Sequence, residues 1–311
     1  MPKSKPTRAP PSDTAPYTDP GVLHGHSGGV MSLVHIEDGT IATGGYDCSI
    51  KLWKHRKEAL TLRGHLGCVT VLASNSSASM LVSGSDDHTV KVWDTEKEAC
   101  VRTHTESVGS ITSLGVAGSL VGLSTRDGFL SVIDLRQEEK VLRQKLPPEE
   151  RVLLISVDRT SISFSQNREI KYLPLSQRTP LTFKTSHTKP IKKTVLLETD
   201  TPTYISLSGN IIEKTTPATT ETIYTSKTST QTTFAHLSTR LYISHTTGAI
   251  ASLNLPPKHN HPPPPEYNHI LTLPPLTVAN ALALSPEHSH SPPYLYAGTS
   301  TSGVAYCQVH R

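Results

Sequence analysis

Little in this sequence invites reactive chemistry. It has only four cysteines, Cys48, Cys68, Cys100 and Cys307, far apart and with no CxxC pair. That suggests neither a zinc knuckle nor a disulfide framework, and fits a reducing cytosolic or nuclear setting. Basic residues exceed acidic ones by only four, 30 against 26, with no long basic block or lysine-striped helix to track a phosphate backbone. Nothing therefore supports nucleic acid as a partner. No apolar run approaches the roughly 18 residues that a membrane span needs, and the start "MPKSKPTRAPPSDTAPYTDP" lacks the apolar segment of a secretory signal. The expectation is a soluble, non-secreted protein without membrane contact. HExxH and glycine-rich phosphate loops are missing. Aromatics make up 5% of the 311 residues and charged residues 18%, while 24 prolines and many threonines favour strands and turns over long helices.

What is present is a period. "GHSGGVMSLVHIEDGTIATGGYDCSIKLWK" and "GHLGCVTVLASNSSASMLVSGSDDHTVKVWD" align along their lengths, with Trp53 and Trp93 40 residues apart. A third copy, "HTESVGSITSLGVAGSLVGLSTRDGFLSVIDL", puts Ile133 at the tryptophan position. The apolar residue three before that position recurs as Ile50, Val90, Leu130, Ile170, Ile211, Ile250 and Val304, in steps of 40, 40, 40, 41, 39 and 54. The long last step coincides with a Pro/His-rich insertion at 256–269, between units six and seven. Each unit reads as short alternating strands separated by Gly, Asn, Asp or Ser turns, and a fixed period of this length indicates a repeat architecture.

The sequence resembles the WD-repeat β-propeller family. The resemblance rests on Gly25/His26 and Gly64/His65 opening two repeats, on Asp47, Asp87 and Asp127 before the third strand, and on Trp53 and Trp93/Asp94 closing it. It implies an all-β fold: a seven-bladed β-propeller of four-stranded antiparallel blades occupying 19–311, preceded by a disordered tail at 1–18 rich in proline. The sequence stops just after the third strand of unit seven, so residues 19–24, aligned with an outer strand, are expected to close the last blade.

The resemblance also implies a structural tetrad in each complete repeat, in which the turn Asp meets the His of the GH pair, the His bonds a Ser or Thr, and that hydroxyl reaches the Trp indole. Carried over, the sets are His26, Thr43, Asp47 and Trp53, then His65, Ser83, Asp87 and Trp93. Unit three keeps His104 and Asp127, but Leu123 and Ile133 replace the hydroxyl and the indole. Later units lack the set, apart from His187 in "TSHTKP". The residue before the structural Asp is carried on the rim of the top face, where such propellers often touch partners; here these are Tyr46, Asp86 and Arg126.

The function this implies is a non-catalytic scaffold subunit of a multiprotein complex. It would be a monomeric propeller in the cytoplasm or nucleus, with proteins or peptides on its top face and no cofactor or metal. Two alternatives stay open. Asp134 and Arg136 in "VIDLRQ" resemble the signature by which some substrate receptors dock to the adaptor of a cullin-type ubiquitin ligase. Propeller enzymes instead ring a channel metal with carboxylates, but the innermost strands here ("VMSLVHI", "VTVLAS", "ITSLGV", "VLLISV") are nearly free of Asp and Glu. His259, His261 and His269 in the insertion are the remaining metal-ligand candidates, and no Cys or paired carboxylate accompanies them.

Overall fold

A computed structural model of the chain describes residues 21–308 other than 37–39, 76–79, 106–108, 137–138, 147–151, 159, 177–179, 198–201, 227–230, 238–239, 248, 255–266, 273–278, 285–293 and 302. The proline-rich tail and His259 and His261 lie outside the described residues. Every described element is a β-strand, and no helix is long and apolar enough to cross a membrane.

The strands form seven separate four-stranded antiparallel sheets. Blade 1 comprises Val30–His35, Ile41–Gly45, Ser49–Lys54 and Lys57–Arg63, from the innermost strand outward. Blade 2 comprises Val69–Asn75, Met80–Ser85, Thr89–Asp94 and Ala99–Thr105. Blade 3 follows as Ile111–Ala117, Leu120–Thr125, Phe129–Asp134 and Glu139–Lys145. Blades 4, 5 and 6 span 152–184, 193–225 and 231–272. Blade 7 takes its three inner strands from 279–308 and its outermost from Gly21–His24, which pairs antiparallel with the third strand, Val22 opposite Ala305. The ring is thus closed by hydrogen bonds between the two ends of the described chain, which complete the fourth strand of blade 7.

Second strands are buried on both faces, as in Ile41–Gly45, whereas outermost strands such as Lys57–Arg63 are largely exposed. Double burial follows from stacking each blade between two others, and it sets the side chains allowed. A methyl group on Gly44 would lie 2.5 Å from Val69 in blade 2, one on Gly84 2.5 Å from Ile111 in blade 3, and one on Gly298 2.7 Å from Val30 in blade 1. These glycines let one blade's backbone approach the next blade's aliphatic side chains. Hydrogen bonds also cross between blades: Thr70 Oγ1 donates to the Ile111 carbonyl at 2.6 Å, and Asn280 Nδ2 to the Val30 carbonyl at 3.1 Å.

Two expectations need correction. The repeating apolar position is Ile212, not Ile211: Ile212 is fully buried, like Ile50, Val90, Leu130, Ile170, Ile250 and Val304, while Ile211 is only partly buried. Both middle strands of blade 5 start 42 residues after their counterparts in blade 4, at Thr203 and Ile211 against Ser161 and Glu169, which puts Ile212 at the position of Ile170. The Pro/His-rich insertion is also shorter than expected and lies within blade 6. Tyr267–Thr272 supplies that blade's outermost strand, with His269 paired to Ala251, because the sheet needs a fourth strand.

Candidate interaction face

Because each blade is an up-and-down meander, the turns between second and third strands share one face of the ring with the links to the next blade. The turns between first and second and between third and fourth strands occupy the other. Below the first (upper) face lie two hydrogen-bonded chains. In blade 1, His26 Nδ1 lies 2.9 Å from both Asp47 oxygens and His26 Nε2 lies 2.8 Å from Thr43 Oγ1, which accepts the Trp53 indole N–H at 2.7 Å. In blade 2, the Asp87–His65, His65–Ser83 and Trp93–Ser83 distances are 2.8, 2.7 and 2.8 Å. Each aspartate also takes backbone N–H groups from the link, Ser27 at 2.9 Å for Asp47 and Leu66 at 2.9 Å for Asp87. A local sequence feature therefore ties the turn, the link and two strands together.

The order carboxylate, imidazole, hydroxyl is also that of a nucleophilic triad. Here the hydroxyl cannot act on a substrate, since Thr43 and Ser83 are fully buried and each accepts an indole N–H. Burial lowers the affinity of both histidines for a proton, overcoming the opposing bond and charge of the aspartates. Neutral rings then donate through Nδ1 and accept through Nε2. Burial pushes the Asp87 carboxyl up, but bonds from Thr89, Leu66 and His65 outweigh it and bring it down to about 2.

Blade 3 departs from this scheme. Leu123 and Ile133 fill the hydroxyl and indole positions, both buried, and Asp127 takes a bond from Thr125 Oγ1 at 2.6 Å. His104 does not occupy the position of His65. It sits within the outermost strand of blade 2, opposite Val90, where Leu62 faces Ile50 in blade 1. Blade 5 holds an arrangement that sequence reasoning saw only in part. His187 Nε2 lies 2.8 Å from Ser206 Oγ, and its Nδ1 lies 3.6 Å from Glu213, a fully buried carboxylate on the third strand. Glu213 also accepts the Ser186 N–H at 3.0 Å and the Ser186 hydroxyl. The acid has moved from the turn to the strand, where Lys51 and Lys91 stand in blades 1 and 2. The acid directly after two isoleucines, Glu213 in "IIEKT", was the available signal.

The partner candidates fall on opposite faces. Tyr46, Asp86 and Arg126 occupy equivalent turns of blades 1, 2 and 3. Each donates its backbone N–H to the link at its blade's entrance, to Gly29 at 3.0 Å, Cys68 at 3.0 Å and Ser110 at 2.9 Å. Tyr46 is 54% exposed, Arg126 is exposed and Asp86 half-buried. Leu66, which the sequence did not single out, is 93% exposed on the same face. His88, beside Asp87, is exposed with φ of 68°, a left-handed turn conformation shared by Cys48 and Gly128.

Asp134 and Arg136 sit on the lower face. Arg136 Nε and Nη2 donate to the two Asp134 oxygens at 3.1 and 2.7 Å, holding that carboxyl well below the usual range. Both line a half-open cavity of about 870 Å³ between blades 3 and 4, with Ser119, Leu120, Val141 and Leu175. Among the described residues no group of three or more His, Cys, Asp or Glu could hold a metal ion.

Residues 18–54 and 56–94 match the family model described as "WD domain, G-beta repeat". Cell division control protein 4 of Saccharomyces cerevisiae is 39% identical over 80 residues, 25% of this chain and 10% of that protein. The U3 snoRNP-associated protein-like EMB2271 of Arabidopsis thaliana is 32% identical over 96 residues, 29% of this chain and 20% of that protein. The chain thus spans a fifth or less of these relatives' own lengths. Among solved structures, "Crystal structure of RRP9 WD40 repeats" superposes with a TM-score of 0.79 at 15% identity, over 96% of this chain and 99% of the other. That likeness speaks for the fold alone.

Proposed function

We propose that this chain, a seven-bladed WD-repeat β-propeller, is a non-catalytic scaffold that holds protein or peptide partners on its upper face within a multiprotein assembly. The observation that carries the reading is the alignment of Tyr46, Asp86 and Arg126 on equivalent turns of three successive blades, each fixed by a backbone bond to its link. Fixed turns present side chains at little further loss of conformational freedom on binding. Similarity to the U3 snoRNP-associated relative supports membership of an assembly and a nuclear setting. Affinity purification with mass spectrometry tests this: the Tyr46→Ala/Asp86→Lys/Arg126→Glu variant should lose partners that the wild type recovers. Recovery of the same set by both would overturn the reading.

A second reading, docking of the lower face to a ubiquitin-ligase adaptor, is favoured by one observation. The Arg136 side chain is 72% exposed at the mouth of the cavity between blades 3 and 4. Arg136→Ala should then abolish adaptor capture while leaving upper-face partners bound, and unchanged capture would remove it.

A further inference from the structure

Asp86 stands apart from its neighbours in having an unmet acceptor. Its Oδ1 is buried and makes no hydrogen bond, although the residue as a whole is half-buried and reaches the surface. The adjoining donors are already committed. The Leu66 N–H, the Thr89 N–H and hydroxyl, and His65 Nδ1 all serve Asp87, and the Asp86 N–H serves the Cys68 carbonyl. The Cys68 thiol, directed to the Tyr46 carbonyl at 3.8 Å, is held neutral because burial and then the Asp86 charge push its pKa up. At neutral pH a carboxylate only accepts. No described donor of the chain therefore completes Asp86 Oδ1, and no internal hydrogen bond holds the side chain against an arriving donor.

The surroundings narrow the donor. Leu66 projects into solvent at 93% exposure, yet its backbone is pinned by the bond to Asp87. The Tyr46 side chain lies over two glycines, where a methyl group would meet it at 2.9 Å on Gly28 and 3.3 Å on Gly29, so the exposed ring has a fixed seat. Cys68 joins the two halves of the patch, touching Tyr46 through its thiol and Asp86 through its carbonyl. A planar guanidinium meets a carboxylate through two parallel hydrogen bonds and stacks on a phenol ring, and an ammonium does neither as well. Resting on the upper-face reading above, we infer that the surface formed by Tyr46, Leu66, Cys68 and Asp86 takes an arginine-bearing apolar peptide segment of a partner, with the arginine on Asp86.

The test uses the full chain, isotope-labelled, titrated with the peptide Ac-Ala-Leu-Arg-Leu-Ala-amide and with its glutamate counterpart while amide resonances are followed. The arginine peptide should shift Tyr46, Leu66 and Asp86 saturably, and both the glutamate peptide and the Asp86→Asn variant should bind at least about tenfold more weakly. Asp86→Asn keeps the side chain's shape, and an unchanged indole signal from Trp93 reports that the blade is intact. Equal binding of the two peptides, full binding to Asp86→Asn, or no shift at these residues would overturn the assignment. If the peptide fails while the triple variant still loses partners, the partner chemistry is wrong and the face is right. If the triple variant loses nothing, the face is wrong as well.

Discussion

Blades 2 and 3 place the same backbone in the same ring by different means. In blade 2 the space between turn, link and third strand is filled by Asp87, His65, Ser83 and Trp93, a polar chain whose buried members are matched to one another. In blade 3 that space holds Leu123 and Ile133, and Asp127 is left with a short bond to Thr125. An apolar filling needs only volume, whereas a hydrogen-bonded one also fixes direction and distance. The polar blades should therefore hold their upper-face turns more tightly, and lose more when one member is removed.

The largest difference is expected at the indole. Trp93→Ala removes a side chain only 2% exposed and leaves Ser83 Oγ without its indole donor. We expect a loss of about 4–5 kcal/mol by denaturant unfolding, against about 2–4 for Ile133→Ala, where only volume is lost. The aspartates come next. Asp87→Ala strands the donors of Leu66, Thr89 and His65 and should cost about 2–3 kcal/mol, while Asp127→Ala should cost about 1 kcal/mol or less. Equal losses at the two positions would mean that the bonds of blade 2 add nothing beyond packing.

Acid should separate the blades further. Folding depresses the Asp87 carboxyl from 3.8 to about 2, so its contribution, on the order of 2 kcal/mol, is present above pH 3.8 and is lost as pH falls toward 2. His26 and His65 bind protons more weakly folded than unfolded, so stability begins to fall below pH 6.5, before the carboxylates titrate. Hydrogen exchange measured between pH 6 and 3 should accelerate in blades 1 and 2 ahead of blade 3. The smallest effect is at His88, whose φ of 68° suits glycine, the residue blade 3 has at Gly128. His88→Gly should raise stability by about 1 kcal/mol or less in a thermal melt.

Much of this was legible in the chain because it depends on short-range chemistry. The period of forty, the alternation within strands, and the Gly-His and Asp turn signals come from residues that act on near neighbours or on an identical unit one step away. The resemblance to WD repeats, carried by residues of one forty-residue unit, implied that His26, Thr43, Asp47 and Trp53 share one blade, with the hydroxyl ten residues from its indole. Blade 5 was harder because its acid no longer occupies the repeat position, although its hydroxyl does. Glu213 meets His187 across 26 residues, from the middle of a strand. A longer connection ahead of the second strand of blade 5 moved the buried position from Ile211 to Ile212, and no local pattern marks it.

The sequence by itself thus determined the number of repeats and their strand-and-turn character, since these follow from local propensity repeated at a fixed period, while the resemblance to WD repeats implied their four-stranded plan. Only the tertiary structure decided which face each exposed residue occupies, which donors are already used, and so which carboxylate is left without one. Asp86 and Asp87 are neighbours in the chain. One is enclosed by bonds from the link, strand and histidine, and the other is left at the rim with an oxygen that the fold does not satisfy.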